Sequence, residues 1–252
     1  TDKKNQHLIT YNPSDAIENE YKSSEKISAV IGGDCISYWV VTQFTNKFFA
    51  FKVTSSGVVT NPVISTVTNN VGPIIDENKV NVTAPGYLKI SPDGKKIAAA
   101  YSATALGSPR SGGGKKNGKV FLYDFDDING TVYNEKLILG NTYPYGLEFS
   151  PDSNKLYVTI NNYNNSDVLL NSALLQFDLT QSNIQSSVFT IHESNNVAGA
   201  LQLAMDGKIY RSGYPVFIDT HQSLSVINNP DAVGADVKYF HNHIDINTGF
   251  LR

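Results

Sequence analysis

Three stretches of the chain repeat one pattern: Gly86-Tyr87-Leu88-Lys89-Ile90-Ser91-Pro92-Asp93-Gly94-Lys95-Lys96-Ile97, Tyr145-Gly146-Leu147-Glu148-Phe149-Ser150-Pro151-Asp152-Ser153-Asn154-Lys155-Leu156-Tyr157, and Gly199-Ala200-Leu201-Gln202-Leu203-Ala204-Met205-Asp206-Gly207-Lys208-Ile209-Tyr210. In each, apolar residues alternate along a short run, a turn built from Asp with Pro, Gly or Ser follows, and a second apolar run returns. That is the pattern of a β-hairpin. The turn aspartates Asp93, Asp152 and Asp206 stand 59 and 54 residues apart. Working outward, Ile27–Ile31, the turn Gly32-Gly33-Asp34-Cys35 and residues 37–43 form a fourth, more diverged copy, with Asp34 59 residues before Asp93. Third strands recur as well, since Tyr123-Asp124 and Phe177-Asp178 are 54 residues apart. A hairpin with an outer strand pair, repeated at this period, predicts an all-β fold: a β-propeller with WD40-like, four-stranded blades.

The expected blades are 27–80, 81–140, 141–195 and 196–252. Their outer strands are read at 48–53 and 58–63, 119–125 and 136–139, 173–179 and 187–191, and 224–227 and 237–240. Residues 1–26, with the strand-like Leu8-Ile9-Thr10-Tyr11, read as the tail of a preceding blade or an N-terminal strand. An open ring leaves sheet edges and apolar faces unprotected. About four blades are visible, and the reading is that they belong to a larger propeller. The first residue is Thr and no signal peptide precedes it, which is expected of a processed or excised segment.

The chain of 252 residues is 40% hydrophobic and only 17% charged, with 14 Tyr and 12 Phe, a composition of many short strands. Its formal net charge of −3 argues against nucleic acid as a partner. No apolar run approaches the roughly 18 residues of a membrane span. Cys35 is the single cysteine, which excludes an intrachain disulfide. Its strand-like neighbours predict a buried, inert thiol.

The stretches Tyr38-Trp39-Val40-Val41, Phe51-Lys52-Val53-Thr54-Ser55-Ser56-Gly57-Val58, the three hairpin repeats, and Leu224-Ser225-Val226-Ile227-Asn228-Asn229-Pro230 resemble the propeller region of large secreted and cell-surface proteins of Bacteroidota, especially flavobacteria. These proteins are exported by type IX secretion and described as gliding-motility or adhesin-like. The resemblance implies an extracellular location, further blades upstream, and a propeller that binds or spaces. It brings no catalytic motif to carry over.

Candidate chemistry is sparse. Gly113 to Val120 approaches a phosphate-binding loop, but Val120 stands where a magnesium-ligating Ser or Thr belongs and a strand follows instead of a helix. Asp124, Asp126 and Asn129 resemble a calcium loop of hard oxygen ligands, with spacing one residue too long and no bidentate Glu. A plain acidic turn is the competing reading. His241, His243 and Asp245 alternate along a strand, which would put three metal-ligating groups on one face. Lys89, Glu148 and Gln202 occupy equivalent inner-strand positions, a polar rim near the channel. Tyr143, Tyr145, Tyr163 and Tyr214 fall in or beside loops and are candidates for a ligand platform in an Asn-rich chain. No cofactor is expected beyond possible calcium.

These readings favour a non-catalytic surface module for protein or glycan. The alternatives are a propeller enzyme of the lactonase type, which needs carboxylate or His ligands converging at the channel, and a structural domain of a large surface protein.

Overall fold

The computed structural model of the chain describes residues 8–20, 24–69, 73, 75, 79, 81, 83–102, 118–164, 168–213 and 223–246. Sixteen strands are present among them. In the first blade β1 (Ile27–Ile31), β2 (Tyr38–Phe44), β3 (Lys47–Thr54) and β5 (Val63–Thr66) pair antiparallel in that order, with the short β4 (Gly57–Val58) also on β3. The second blade has β6 (Leu88–Ile90), β7 (Lys96–Tyr101), β8 (Gly118–Asp126) and the first part of β9 (Thr131–Phe149). The last part of β9 then opens the third blade, followed by β10 (Lys155–Tyr163), β11 (Leu169–Asp178) and β12 (Phe189–Ser194). The fourth is β13 (Leu201–Leu203), β14 (Ile209–Arg211), β15 (Ser223–Ile227) and β16 (Tyr239–Asp245).

The repeated turns fold alike. The residue after the turn Asp has positive φ in all four: Cys35, Gly94, Ser153 and Gly207, at 59°, 72°, 62° and 77°. The aspartate holds each turn by accepting a backbone N–H two residues on, from Ile36, Lys95, Asn154 and Lys208. Ser91 and Ser150 close the second and third by accepting from Lys96 N and Lys155 N. The repeated Ser and Asp are therefore turn-builders. So is the position of Cys35, and this overturns the buried-thiol expectation: the side chain is exposed at the turn.

Strand alternation sends successive residues to opposite blade faces. Along β7, Ile97, Ala99 and Tyr101 pack with Trp39, Val41 and Phe48 of the first blade, while Ala98 and Ala100 pack with Leu147, Phe149 and Leu156 of the third. Tyr157 and Leu174 then meet Leu201, Ile209 and Ile227 of the fourth. Three apolar cores between successive blades, with the inner strands β1, β6, β9 and β13 in sequence, are the packing of a β-propeller. Trp39 seats its ring on Gly130, where a Cβ would lie 2.6 Å from the indole, and donates Nε1–H to Asp127 O at 2.7 Å.

Three local expectations change. Residues 8–11 join no ladder; Ile9 and Tyr11 instead cover Phe44, Phe49 and Phe51 on the first blade. Pro13 and the turn that leads into the short helix α1 (Ala16–Glu20), with Asp15 accepting from Ile17 N and Glu18 N, take that segment out of strand geometry. The strand read at 58–63 is split: β4 ends at Val58 and pairing resumes only at Val63, after Pro62, which has no N–H to give a ladder. The strand read at 136–139 is one stretch of the 19-residue β9, which passes from the second blade to the third with register shifts and no connecting loop.

Candidate functional site

Each inner strand runs toward the hairpin turns and each second strand returns from them. The opposite face is thus built from the beginnings of the inner strands and the ends of their partners. A cavity of about 780 Å³ opens there, within the range of small-molecule sites. Its lining includes Tyr143 and Tyr145 from β9, Asn161 and Tyr163 from β10, and residues 197–200 and 212–213 flanking β13 and β14.

The wall is fixed by glycines and short polar side chains. A Cβ on Gly199 would sit 1.6 Å from Ser212 O, and one on Gly146 would sit 2.4 Å from Gly199 O, so backbone meets backbone where side chains would intrude. Thr159 accepts from Gly146 N at 2.9 Å and donates to Gly199 O at 2.8 Å, joining the third blade to the fourth. Asn161, buried, accepts from Ala198 N through Oδ1 at 2.8 Å. Ser212 Oγ accepts from Ala200 N.

Three of the four tyrosines singled out from sequence meet here. Tyr143 and Tyr163 stand edge to face, ring centres 5.6 Å apart at 87°. Tyr145 packs on Tyr87 at 5.4 Å. Burial raises the pKa of both Tyr87 and Tyr145, helped by the Glu25 carboxylate, so both phenols stay protonated. Tyr214 lies outside the described residues, as does most of the phosphate-loop-like stretch from Gly113.

Lys89, Glu148 and Gln202 converge into one network on the inner strands. Lys89 Nζ donates to Glu148 Oε2 at 2.8 Å and to Gln202 Oε1 at 2.9 Å. Glu148 also accepts from Leu203 N and Phe149 N. The carboxylate is thus engaged in clamping three blades through their inner strands. Beside it Glu25, Ser28, Tyr87, Lys89 and Gln202 line a second groove of about 340 Å³. Among the described residues no three His, Cys, Asp or Glu side chains gather to hold a metal.

The calcium candidates are spread apart. Asp124 pairs with Lys96 at 3.2 Å and with Asn134, whereas Asp126 accepts from Ile128 N, Asn129 N and Asn129 Nδ2. Asn129 thus presents its amide donor to Asp126, and the segment is an acidic turn. The histidine set is also split. Asn242 has φ 48° inside β16, where the register against β15 shifts. The bulge turns His243 to the side of Phe240, 5.2 Å away, while His241 stacks on His192 at 4.5 Å.

That second side is a cluster with no local sign in the sequence. Buried Arg211 donates to Ser172 Oγ at 2.7 Å and Tyr239 Oη at 3.2 Å, and His241 Nδ1 lies within hydrogen-bond reach of Tyr239 and Ser225. Burial, then His192 and Arg211, push the His241 imidazole down to about 4. Its members come from β11, β12, β14, β15 and β16, and only packing of the fourth blade on the third assembles them.

No family model and no curated protein matches the chain. Solved structures similar to it include an endo-arabinase from Bacteroides thetaiotaomicron, at 10% identity over 90% of this chain and 82% of that one with a TM-score of 0.47. A GH74 enzyme from Niastella koreensis matches at 10% identity over 87% of this chain and 30% of that one, TM-score 0.48. A periplasmic gluconolactonase from Pseudomonas aeruginosa matches at 12% identity over 85% of this chain and 55% of that one, TM-score 0.42. The chain spans about half or less of the last two. These are likenesses of fold, and the activities belong to those proteins. Among the described residues no helix is long and apolar enough to cross a membrane.

Proposed function

We propose that this propeller is a non-catalytic recognition module of an exported surface protein, engaging a protein or glycan partner with the face opposite its hairpin turns. The observation that carries the reading is the make-up of the cavity. Among the described residues its lining is tyrosine rings, an asparagine, serines, small apolar side chains and backbone, and none of those described is Asp, Glu, His, Lys or Arg. Such groups stack on apolar faces and hydrogen-bond the polar groups of a partner. The Lys89–Glu148–Gln202 network supports the same reading, because its carboxylate is committed to holding blades together. The resemblance of the repeats to flavobacterial surface propellers supports an extracellular, type IX-exported adhesin or gliding-type role.

The test has two parts. Protease treatment of intact source cells should degrade the protein, and labelled chain should bind the cell surface with Tyr143→Ala and Tyr163→Ala both weakening it. A protein shielded in intact cells, or surface binding indifferent to both substitutions, contradicts the proposal. Turnover of sugar lactones that is lost on Glu148→Gln would favour the enzyme alternative.

A further inference from the structure

We infer that a second copy of this chain completes the propeller, the first blade of each copy seated on the fourth blade of the other. The junctions inside the chain show what such a contact requires. Each blade has two apolar faces, one toward its predecessor and one toward its successor. In the second blade, Ile97, Ala99 and Tyr101 face the first blade while Ala98 and Ala100 face the third. The turns add one polar tie per junction, each time with the earlier blade donating. Gly33 N donates to Asp127 O at 2.9 Å, Asp93 N to Ser153 Oγ at 3.1 Å and Asp152 N to Asp231 Oδ1 at 3.0 Å.

Two faces of unlike kind are left over. The first blade keeps a predecessor-type face. Register sets Ile31, Tyr38, Val53 and Val58 in one row across it, and Ile27 and Ile64 lie at the two ends of another. Ile27, Ile31, Tyr38, Val58 and Ile64 are all exposed there. The fourth blade keeps a successor-type face, with Tyr210, Val226 and Phe240 in one row and Leu224 beside Ile244.

The polar tie is prepared on both sides as well. Exposed Met205 and Asp206 stand where the donating turns stand in the earlier blades. The first blade offers exposed Ser55 and Ser56 between β3 and β4, the counterpart of the turn that holds Asp127. A donor half and an acceptor half on one molecule make a head-to-tail contact, which closes as a ring or runs on as a filament. Size favours the ring. Four strands about 4.8 Å apart, about five residues long at about 3.4 Å each, present about 300 Å² in projection. Two junctions cover four such faces, about 1,200 Å² before side-chain relief, the scale of a specific stable interface. Two copies supply twice the four blades, a number at which propellers close.

Sedimentation of the full chain over a concentration series, with paired variants, tests this. The wild type is expected to pass from the 27.5 kDa monomer to one species of twice that mass and no further. Ile27→Lys with Tyr38→Lys alters one face, and Phe240→Lys with Ile244→Lys alters the other. Each pair should weaken dimerisation at least about a hundredfold, because ammonium groups would be buried on an apolar face. Mixing the two variants should restore a weaker dimer, since one unaltered junction survives between them. Neither variant recovers it alone, and recovery in the mixture shows that both fold. A chain monomeric at millimolar concentration, a dimer that survives either pair of substitutions, or growth beyond the dimer overturns the inference. So does a mixture that stays monomeric while both variants keep the wild-type circular dichroism.

Discussion

Gly199 and Gly207 both belong to the fourth blade, and different constraints hold them. A Cβ at Gly199 would collide with the carbonyl of Ser212, whereas one at Gly207 meets nothing within 4 Å and is opposed only by a φ of 77°. Gly199→Ala should therefore cost about 3 kcal/mol as backbone is forced apart. Gly207→Ala should cost about 1 kcal/mol, the usual penalty for a side chain in the left-handed region. Urea midpoints of the two variants would separate these causes, and equal losses would refute the close-approach account of the cavity wall. Lys26 shows a third kind of constraint. Its buried ammonium donates to the carbonyls of Thr83, Ala84 and Pro85 at 3.0, 3.0 and 3.3 Å, while burial, opposed by Glu25, brings it down to about 7. Lys26→Met keeps the stem and removes the ammonium donor that these carbonyls share, and should lower stability by about 2–4 kcal/mol in thermal unfolding. A variant as stable as the wild type would mean that those carbonyls find water instead.

At the scale of elements, the fourth blade is tied to the third by a titratable contact. Arg211 of β14 faces Ser172 of β11, Tyr239 and His241 of β16 and His192 of β12, and among the described residues no carboxylate hydrogen-bonds its guanidinium. His241 and His192 both bind protons less readily folded than unfolded, because burial and the Arg211 charge disfavour imidazolium. Between the ordinary histidine value of 6.5 and about 4 the unfolded chain thus holds the extra proton, so stability falls as pH falls through that window. Partial solvent screening limits the effect to about 1–2 kcal/mol. His241→Phe should flatten that part of the stability profile, and parallel profiles for the two proteins would rule the cluster out as its source. This cluster also marks where sequence reading stops. Hairpins were legible because Asp93, Asp152 and Asp206 recur in the same turn context, and the tyrosines of the cavity because they flank repeated strands. The continuity of β9 was not legible, since Gly140-Asn141 between Leu139 and Tyr143 reads as a turn, and only pairing shows the strand running through it from one blade to the next. Nor was the Asn242 bulge, which places His241 and His243 on opposite sides and undoes a pattern that looks regular in one dimension. Contacts made across five strands leave no local signature.

For the whole molecule, the question is what each blade presents outward. The second and third blades bury both faces against neighbours. Among the described residues, the outer side of the first is covered where Ile9 and Tyr11 lie over Phe44, Phe49 and Phe51. Ile27, Ile31 and Tyr38 of that same face remain 62%, 45% and 54% exposed, paired in register across β1 and β2. On the fourth blade Phe240 and Ile244, at 47% and 36%, face away from the third. Two apolar sheet faces at the two ends of an arc are the surfaces that a complete propeller ring packs against further sheets. Left bare, they are sticky. The chain studied alone should therefore self-associate as its concentration rises, with sedimentation shifting above the monomer mass of 27.5 kDa. Ile27→Lys with Tyr38→Lys should restore the monomer without lowering the melting temperature, because both side chains already sit largely in water and support no core. A melting temperature that drops with these changes would mean that the face is packed in solution. A chain that stays monomeric at millimolar concentration would mean that its two ends already cover one another, closing four blades into a ring around the Lys89–Glu148–Gln202 network.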